Sequence, residues 1–445
     1  MPIQIVPDFP EIKYHLVCYD KEGCERFDDL DASEGKLSSV IIDHVKSTPV
    51  TDIFLMSHGW KGDVPAAIEQ YDRWIGAMAN CSVDRAQVRQ RDPNFKALLV
   101  GLHWPSLPFG DEGIATTVSF STNEGLTLET LIKNYATRIA DTQAAHAAIE
   151  TIFKAAMDDI APLIMPPAVR DAYLTLNRET CLGVGGAGAR PGSDREPFDP
   201  ERAYRDSLED VASFGGFSLG GLLAPLQQLS FYVMKDRARK FGETGAYELL
   251  KLLQEASIQS GRNVRFHLQG HSFGCIVISS MLCGPGGDTA PPMPVSTVYL
   301  VQGALSLWSY CADIPQVPGT PGYFRALASG NRVDGPVLTT ISEHDYAVGR
   351  YYPLAAGIKR QVSFVPGTLP KYGAIGAFGV RGDGIPIKDI EMLPESEKYE
   401  FEKGSFYNID ASKYIKKIDG ASGAHSDIAH GEVAHAFWEA MAVSF

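Results

Sequence analysis

The feature that most constrains this chain is an alternation, repeated along most of its length, between short aliphatic runs and stretches with helical spacing. Residues 52–56 form a short apolar run of the kind a buried strand makes. Residues 64–79 place Ile68, Tyr71, Trp74 and Ile75 on one helical face. A chain that alternates the two builds βαβ units, and these close into a largely parallel sheet flanked by helices. The expected class is therefore α/β. Strands are predicted over residues 13–20, 52–56, 97–104, 263–268, 295–301, 337–341 and 405–410. Helices are predicted over 36–47, 64–79, 246–257, 272–282, 347–354 and 432–443.

Residues 105–244 break the pattern, being far longer than an ordinary crossover between neighbouring parallel strands. The reading is an N-terminal part of a core at 1–104, a mainly helical lid inserted at 105–244, and the rest of the core at 245–445. Within the insertion, 126–165 has helical composition, whereas the glycine, proline and charge of 183–200 predict a mobile loop. The six residues 235–240 (KDRARK) read as a solvated helix face. Residues 211–234 are the nearest approach to a membrane segment. Four glycines, Pro225, Gln227 and Gln228 interrupt them, so they read as lid or buried helix. Their apolar side chains, Phe217, Leu219 and Leu226 among them, suit either a hydrophobic pocket or ordinary packing.

Hydrophobic residues at 44% and charged residues at 21% are those of an ordinary globular chain. The net charge of −14, with no dense Lys/Arg patch, argues against a nucleic-acid partner. Seven scattered cysteines without CxxC spacing argue against a disulfide framework and a structural zinc site, and point to a reducing cytoplasm. No secretory leader and no integral membrane segment are expected. The sequence carries no sign of oligomeric state.

Gly270-His271-Ser272-Phe273-Gly274 fits the G-x-S-x-G pattern, in which glycines let the chain turn sharply from strand to helix and hold the serine oxygen above a sheet. A second copy, Gly216-Phe217-Ser218-Leu219-Gly220, lacks a preceding strand. Ser272 follows the alternating run Val264-Arg265-Phe266-His267-Leu268 and precedes the apolar Cys275-Ile276-Val277-Ile278, so Ser272 is the candidate nucleophile. The strand at 52–56 ends in His58-Gly59-Trp60. There the backbone N–H of Trp60, with Gly59 permitting the turn, is placed to join that of Phe273 as an oxyanion donor.

A carboxylate after a later strand and a histidine near the C-terminus would complete the set. Asp345 leaves the strand at 337–341, with Glu343 as fallback and Asp313 and Asp334 less well placed. An Asp at that position also suits a helix N-cap. Of the three C-terminal histidines, His425 lies in a small-residue loop, while His430 and His435 fall near or within the last helix. Their five-residue spacing turns each from the next by roughly 140° on a helix, which rules out a shared metal-binding face. His267 reads as structural, and no metal or cofactor is called for.

The ordered set of His58-Gly59-Trp60, the pentapeptide around Ser272, Asp345 and His425 resembles the α/β-hydrolase superfamily across nearly the whole chain outside the insertion. Residues 100–106, ending Trp104-Pro105-Ser106, are similar to a strand found in a poorly characterised bacterial and fungal branch of it. The resemblance implies that Ser272 attacks an acyl carbonyl, His425 takes and returns its proton, and Asp345 orients the imidazole. It implies an esterase or lipase-like activity but names no substrate; the apolar residues of the insertion point to a small molecule with a hydrophobic acyl group. An amidase, thioesterase or acyltransferase, or a non-catalytic binding protein on the same fold, stays open.

Overall fold

The structure is a computed structural model that describes residues 3–27, 35–60, 63–106, 127–214, 221–351 and 369–445. Ser218 and its flanking Gly216 to Gly220, and residues 352–354 of the helix expected at 347–354, lie outside the described residues.

The chain divides into two compact units, one formed by Met1–Ser106, Arg237–Tyr352 and Leu369–Phe445, the other centred on Leu107–Asp236. In the first unit the described strands are β1 (Ile3–Val6), β2 (Phe9–Cys18), β3 (Asp52–Ser57), β4 (Ala97–His103), β5 (Arg265–His271), β6 (Thr297–Val301), β7 (Val337–Ile341), β8 (Ile387–Glu391) and β9 (Phe406–Asp410). They form one sheet of nine described strands in the order β1-β2-β4-β3-β5-β6-β7-β9-β8. The β1–β2 pair is antiparallel and every other pair is parallel.

Helices α1 (Leu37–Ser47), α2 (Val64–Asn80) and α3 (Ser82–Arg91) precede the second unit. The helices α4 (Leu128–Ile139), α5 (Gln143–Asp158), α6 (Pro167–Glu179) and α7 (Pro200–Phe214) belong to that unit, and α8 (Ala224–Phe241) leads out of it. The first unit then continues with α9 (Tyr247–Gln259), α10 (Gly274–Cys283), α11 (Arg325–Ser329), α12 (Ile375–Phe378) and α13 (Gly431–Met441).

All six residues of β3 are buried, as a central parallel strand covered on both faces must be. Alternate residues of the sheet, including Tyr14, Phe54, Met56, Tyr299 and Ile409, face one core with Trp74 of α2 and Phe437 of α13. The intervening residues point to the other face. Asp63 caps α2 by accepting from the Ala66 N–H at 2.9 Å, and Pro65 occupies its first turn. No helix of the described residues is long and apolar enough to cross a membrane.

The second unit has its own core, in which Tyr135, Ile149, Ile152, Tyr173, Leu176 and Leu226 are buried together. The helical stretch expected at 126–165 is two helices, because Thr142 caps α5 by accepting from Ala145 N–H at 3.1 Å. The segment 183–200 is irregular, as expected, and partly buried: Asp194 and Arg195 are 2% and 0% exposed, whereas Val184 is 53% exposed. The Asp194 carboxylate meets Lys235, and Arg195 bonds Asn177 Oδ1 at 2.9 Å and stacks over the Tyr232 ring. One expectation is corrected here: residues 235–240 are no solvated face, since Lys235, Asp236, Ala238 and Arg239 are all buried. Pairing with Asp194, and of Arg239 with Glu243, offsets the desolvation that composition alone would forbid.

Candidate active site

Because β3, β5, β7 and β9 run the same way, their carboxyl ends share one edge of the sheet, the edge where parallel α/β sheets gather their chemistry. His58 follows β3, Ser272 follows β5, Asp345 follows β7 and His425 follows β9. Four segments distant in sequence thus meet through topology.

Ser272 occupies the turn from β5 to α10 with φ +55°, in the left-handed region that a non-glycine residue adopts only under constraint. Its backbone is fixed on both sides: Ser272 N–H donates to Val301 O at 3.1 Å, and Ala304 and Cys275 N–H groups donate to Ser272 O, each at 3.1 Å. The flanking glycines are required by close approach. A Cβ on Gly270 would lie 2.6 Å from Gly274 O, and one on Gly274 would lie 2.2 Å from Ser57 O. Gly59 is confined in the same way, its Cβ position falling 2.7 Å from the Cβ of Ser272. The extension of β3 therefore passes directly beside the serine. Trp60 follows it, stacked on Phe273 with ring centroids 5.4 Å apart, and Phe273 is the N-cap residue of α10. Both residues expected to supply oxyanion donors thus flank Ser272.

The Ser272 hydroxyl donates to His425 Nε2 at 2.8 Å, and His425 Nδ1–H donates to Asp345 Oδ2 at 2.7 Å. Asp345 is 1% exposed and Ser272 5%. The other oxygen of Asp345 accepts from Val348 N–H at 3.1 Å, so this one carboxylate both caps the turn Ala347–Tyr351 and orients the imidazole. That turn is a single π turn rather than the start of an α-helix.

The loop bearing His425 is tied to the loop bearing Asp345 by Ala424 N–H donating to His344 O at 2.8 Å. Gly423, at φ +66°, makes this possible, since a Cβ there would meet His344 O at 2.3 Å. Asp427 pins the same loop by accepting from the N–H groups of Lys416 and Lys417.

The alternatives fall elsewhere. The Glu343 side chain is 77% exposed, Asp313 accepts from the Gly319 and Thr320 N–H groups of its own loop, and Asp334 is exposed. His430 pairs with Asp427, His435 with Asp84, and His267 with Asp52.

Several contributors carry no sequence signal of their own. His58, nearly fully buried, stacks on Trp104 at 5.7 Å and meets His103 Nδ1 through its Nε2 at 3.1 Å. Burial first, and then the neighbouring His103, pulls the His58 value down to about 3. Burial and Arg26 bring His103 to about 4. Both rings are neutral at ordinary pH. Tyr71 accepts from His58 N–H at 2.8 Å and donates to Leu102 O at 2.7 Å, joining the ends of β3 and β4. Only the three-dimensional pairing reveals this lattice. The repeated aromatic and histidine residues at the two strand ends, His58-Gly59-Trp60 and His103-Trp104, were the available hint.

Among the described residues, Asp84, His435 and Glu439 form a group with metal-ligand spacing. Both ring nitrogens of His435 are already engaged, Nδ1 with Asp84 and Nε2 with Glu397 O at 2.8 Å, which leaves no lone pair for a cation. The arrangement on the sheet edge is a different kind of chemistry: a hydroxyl whose proton has an acceptor, and an acceptor whose resulting charge has a buried carboxylate. No protein-family model, curated protein or solved structure matches this chain.

Proposed function

We propose that the chain is a serine hydrolase of the α/β-hydrolase type, cleaving a carboxylic ester through an acyl-enzyme on Ser272. The observation that carries the reading is the continuous relay from Ser272 Oγ through the His425 ring to Asp345, at 2.8 and 2.7 Å, on a serine held at φ +55°. The strand order and the sharp strand-to-helix turn support the fold assignment.

In this reading Ser272 Oγ attacks the acyl carbonyl carbon as its proton passes to His425 Nε2. The carbonyl oxygen becomes an oxyanion facing the Trp60 and Phe273 amides, and Asp345 stabilises the imidazolium. His425 then gives the proton to the leaving alkoxide, which departs as the alcohol. Water, deprotonated by His425, attacks the acyl-serine; the carbonyl re-forms, the acid leaves and the proton returns to Ser272 Oγ. The aromatic pair Trp60 and Phe273 beside the serine suits an apolar acyl group. No metal or cofactor enters these steps.

A fluorophosphonate probe tests the reading. The wild-type chain is expected to label at Ser272 and to hydrolyse short p-nitrophenyl esters. Ser272→Ala is expected to lose both, the turnover by about a millionfold. A folded wild-type chain that neither labels nor hydrolyses would remove the hydrolase reading in favour of a binding role.

A further inference from the structure

The residue before the nucleophile does work that the relay alone does not explain. His271 is 5% exposed, and its Nε2–H donates to the backbone carbonyl of His425 at 2.9 Å. The two imidazoles lie 4.8 Å apart between centroids, tilted by 38°. Among the described residues His271 Nδ1 has no hydrogen-bond partner, and it lies buried against Gly59, whose Cβ position would be 3.1 Å away.

We propose that His271 is a positioning residue: its Nε2–H bond to the His425 carbonyl sets the height of the His425 ring over the Ser272 hydroxyl. This rests on the hydrolase reading of the site.

Ser272 is held by its turn, whereas His425 sits in the loop after β9 with its side chain 13% exposed. Asp345 fixes the direction of the ring through Nδ1, and the His344 carbonyl fixes the residue before it. The bond from His271 fixes His425 itself, and it comes from the residue covalently joined to the nucleophile. One peptide link and one hydrogen bond therefore set the distance between hydroxyl and base.

This role needs a donor at Nε2 and leaves Nδ1 bare, so the ring must be the neutral Nε2–H tautomer. Its surroundings enforce that. Among the described residues the titratable and charged groups that act on it are His425, His58 and Arg73, none of them a carboxylate, and Trp74 meets it edge-on at 6.1 Å. Burial first, and then these neighbours, hold its value well below that of an ordinary histidine. When His425 takes up the serine proton, the adjacent ring thus adds no second positive charge.

The test compares His271→Phe, which keeps a ring and removes the donor, with His271→Gln, which keeps a donor near the Nε2 position. The rate of Ser272 phosphonylation is read across pH. The Phe variant is expected to react about a hundredfold more slowly than wild type, the effect of a base displaced by about 1 Å. The Gln variant is expected to recover most of that rate. A Phe variant as fast as wild type, or a Gln variant no faster than Phe, would overturn the assignment.

A second measurement stands if the Phe variant does not fold. In wild-type protein carrying 15N-histidine, His271 is expected to remain the Nε2–H tautomer from about pH 5.5 to 8.5. Titration near the ordinary histidine value, or an Nδ1–H tautomer, would sink the proposal. A wild-type chain unreactive to the phosphonate would instead count against the hydrolase reading, while the imidazole spectrum would still test the bond to His425.

Discussion

The carboxyl edge of the sheet and its amino edge each hold a buried aspartate bonded to an imidazole, with opposite outcomes. At the carboxyl edge Asp345 holds Nδ1 of His425, and Nε2 reaches the Ser272 hydroxyl. At the amino edge Asp52 holds His267 Nε2 at 3.0 Å and the Arg265 guanidinium through two bonds of 2.7 Å, and His267 Nδ1 has no partner among the described residues. Burial first holds His267 below its ordinary value despite the carboxylate. The same two residue types thus reach a hydroxyl in one place and brace two strands in the other. The third partner separates them: a serine hydroxyl against a guanidinium.

A third pair marks the boundary. His435 of α13 spends Nδ1 on Asp84 of α3 and Nε2 on a carbonyl. Burial pulls its value down, but the bonds to Asp84 and the Glu397 carbonyl more than offset this, and the net direction is upward. It is a buried cation joining two helices, with both ring nitrogens engaged.

The sharpest way to break the comparison is to remove each carboxylate's charge. Asp345→Asn is expected to lower kcat by about ten-thousandfold, since the amide no longer favours the tautomer that accepts the serine proton. Asp52→Asn is expected to change ester turnover less than about tenfold and to lower the thermal midpoint instead, which steady-state assays and melting curves on the two variants would separate. Comparable kinetic losses in both would show that the two pairs are not distinct in kind.

A smaller effect concerns Asp84→Asn, which strands a buried imidazolium. It is expected to destabilise the fold by about 3 kcal/mol in denaturant titration, with kcat unchanged. The sign with pH follows from the raised value of His435. Its contribution is full below the ordinary histidine value of 6.5 and is lost as pH rises through the higher folded value, so the gap between wild type and Asp84→Asn should narrow in alkali.

The smallest expected effect has the opposite sign and belongs to His58 and His103. Depressed to about 3 and about 4, they bind protons more readily in the unfolded chain below pH 6.5. Stability should therefore fall as pH drops from 6.5 toward 4, and a His103→Gln variant, lacking one of these groups, should show a shallower decline by calorimetry. An equally steep decline in that variant would assign the acid sensitivity elsewhere.

These pairs also show what local sequence carries. The central strands β3, β5 and β7 are legible because burial imposes a pattern on their residues. The edge strands β1 and β8, read from composition as nothing in particular, alternate little because much of each faces water. Helix α3, with the polar sequence SVDRAQVRQR, escaped for the same reason. The burial of Asp194 within residues 183–200 is not legible locally, because its partner is Lys235, forty-one positions away. At the site, Ser272, Asp345 and His425 could be picked by motif, chain order and loop position. Tyr71, His103 and His271 could not, because what distinguishes them is whom they touch.

The left-handed backbone of Ser272 sets endurance against chemistry at a single position. Conformations of this kind cost on the order of 1–3 kcal/mol, which glycine would largely relieve. Selection for heat tolerance alone would thus draw this residue toward the one substitution that deletes the hydroxyl. Under the proposed reaction the serine would have to be kept at that cost in stability.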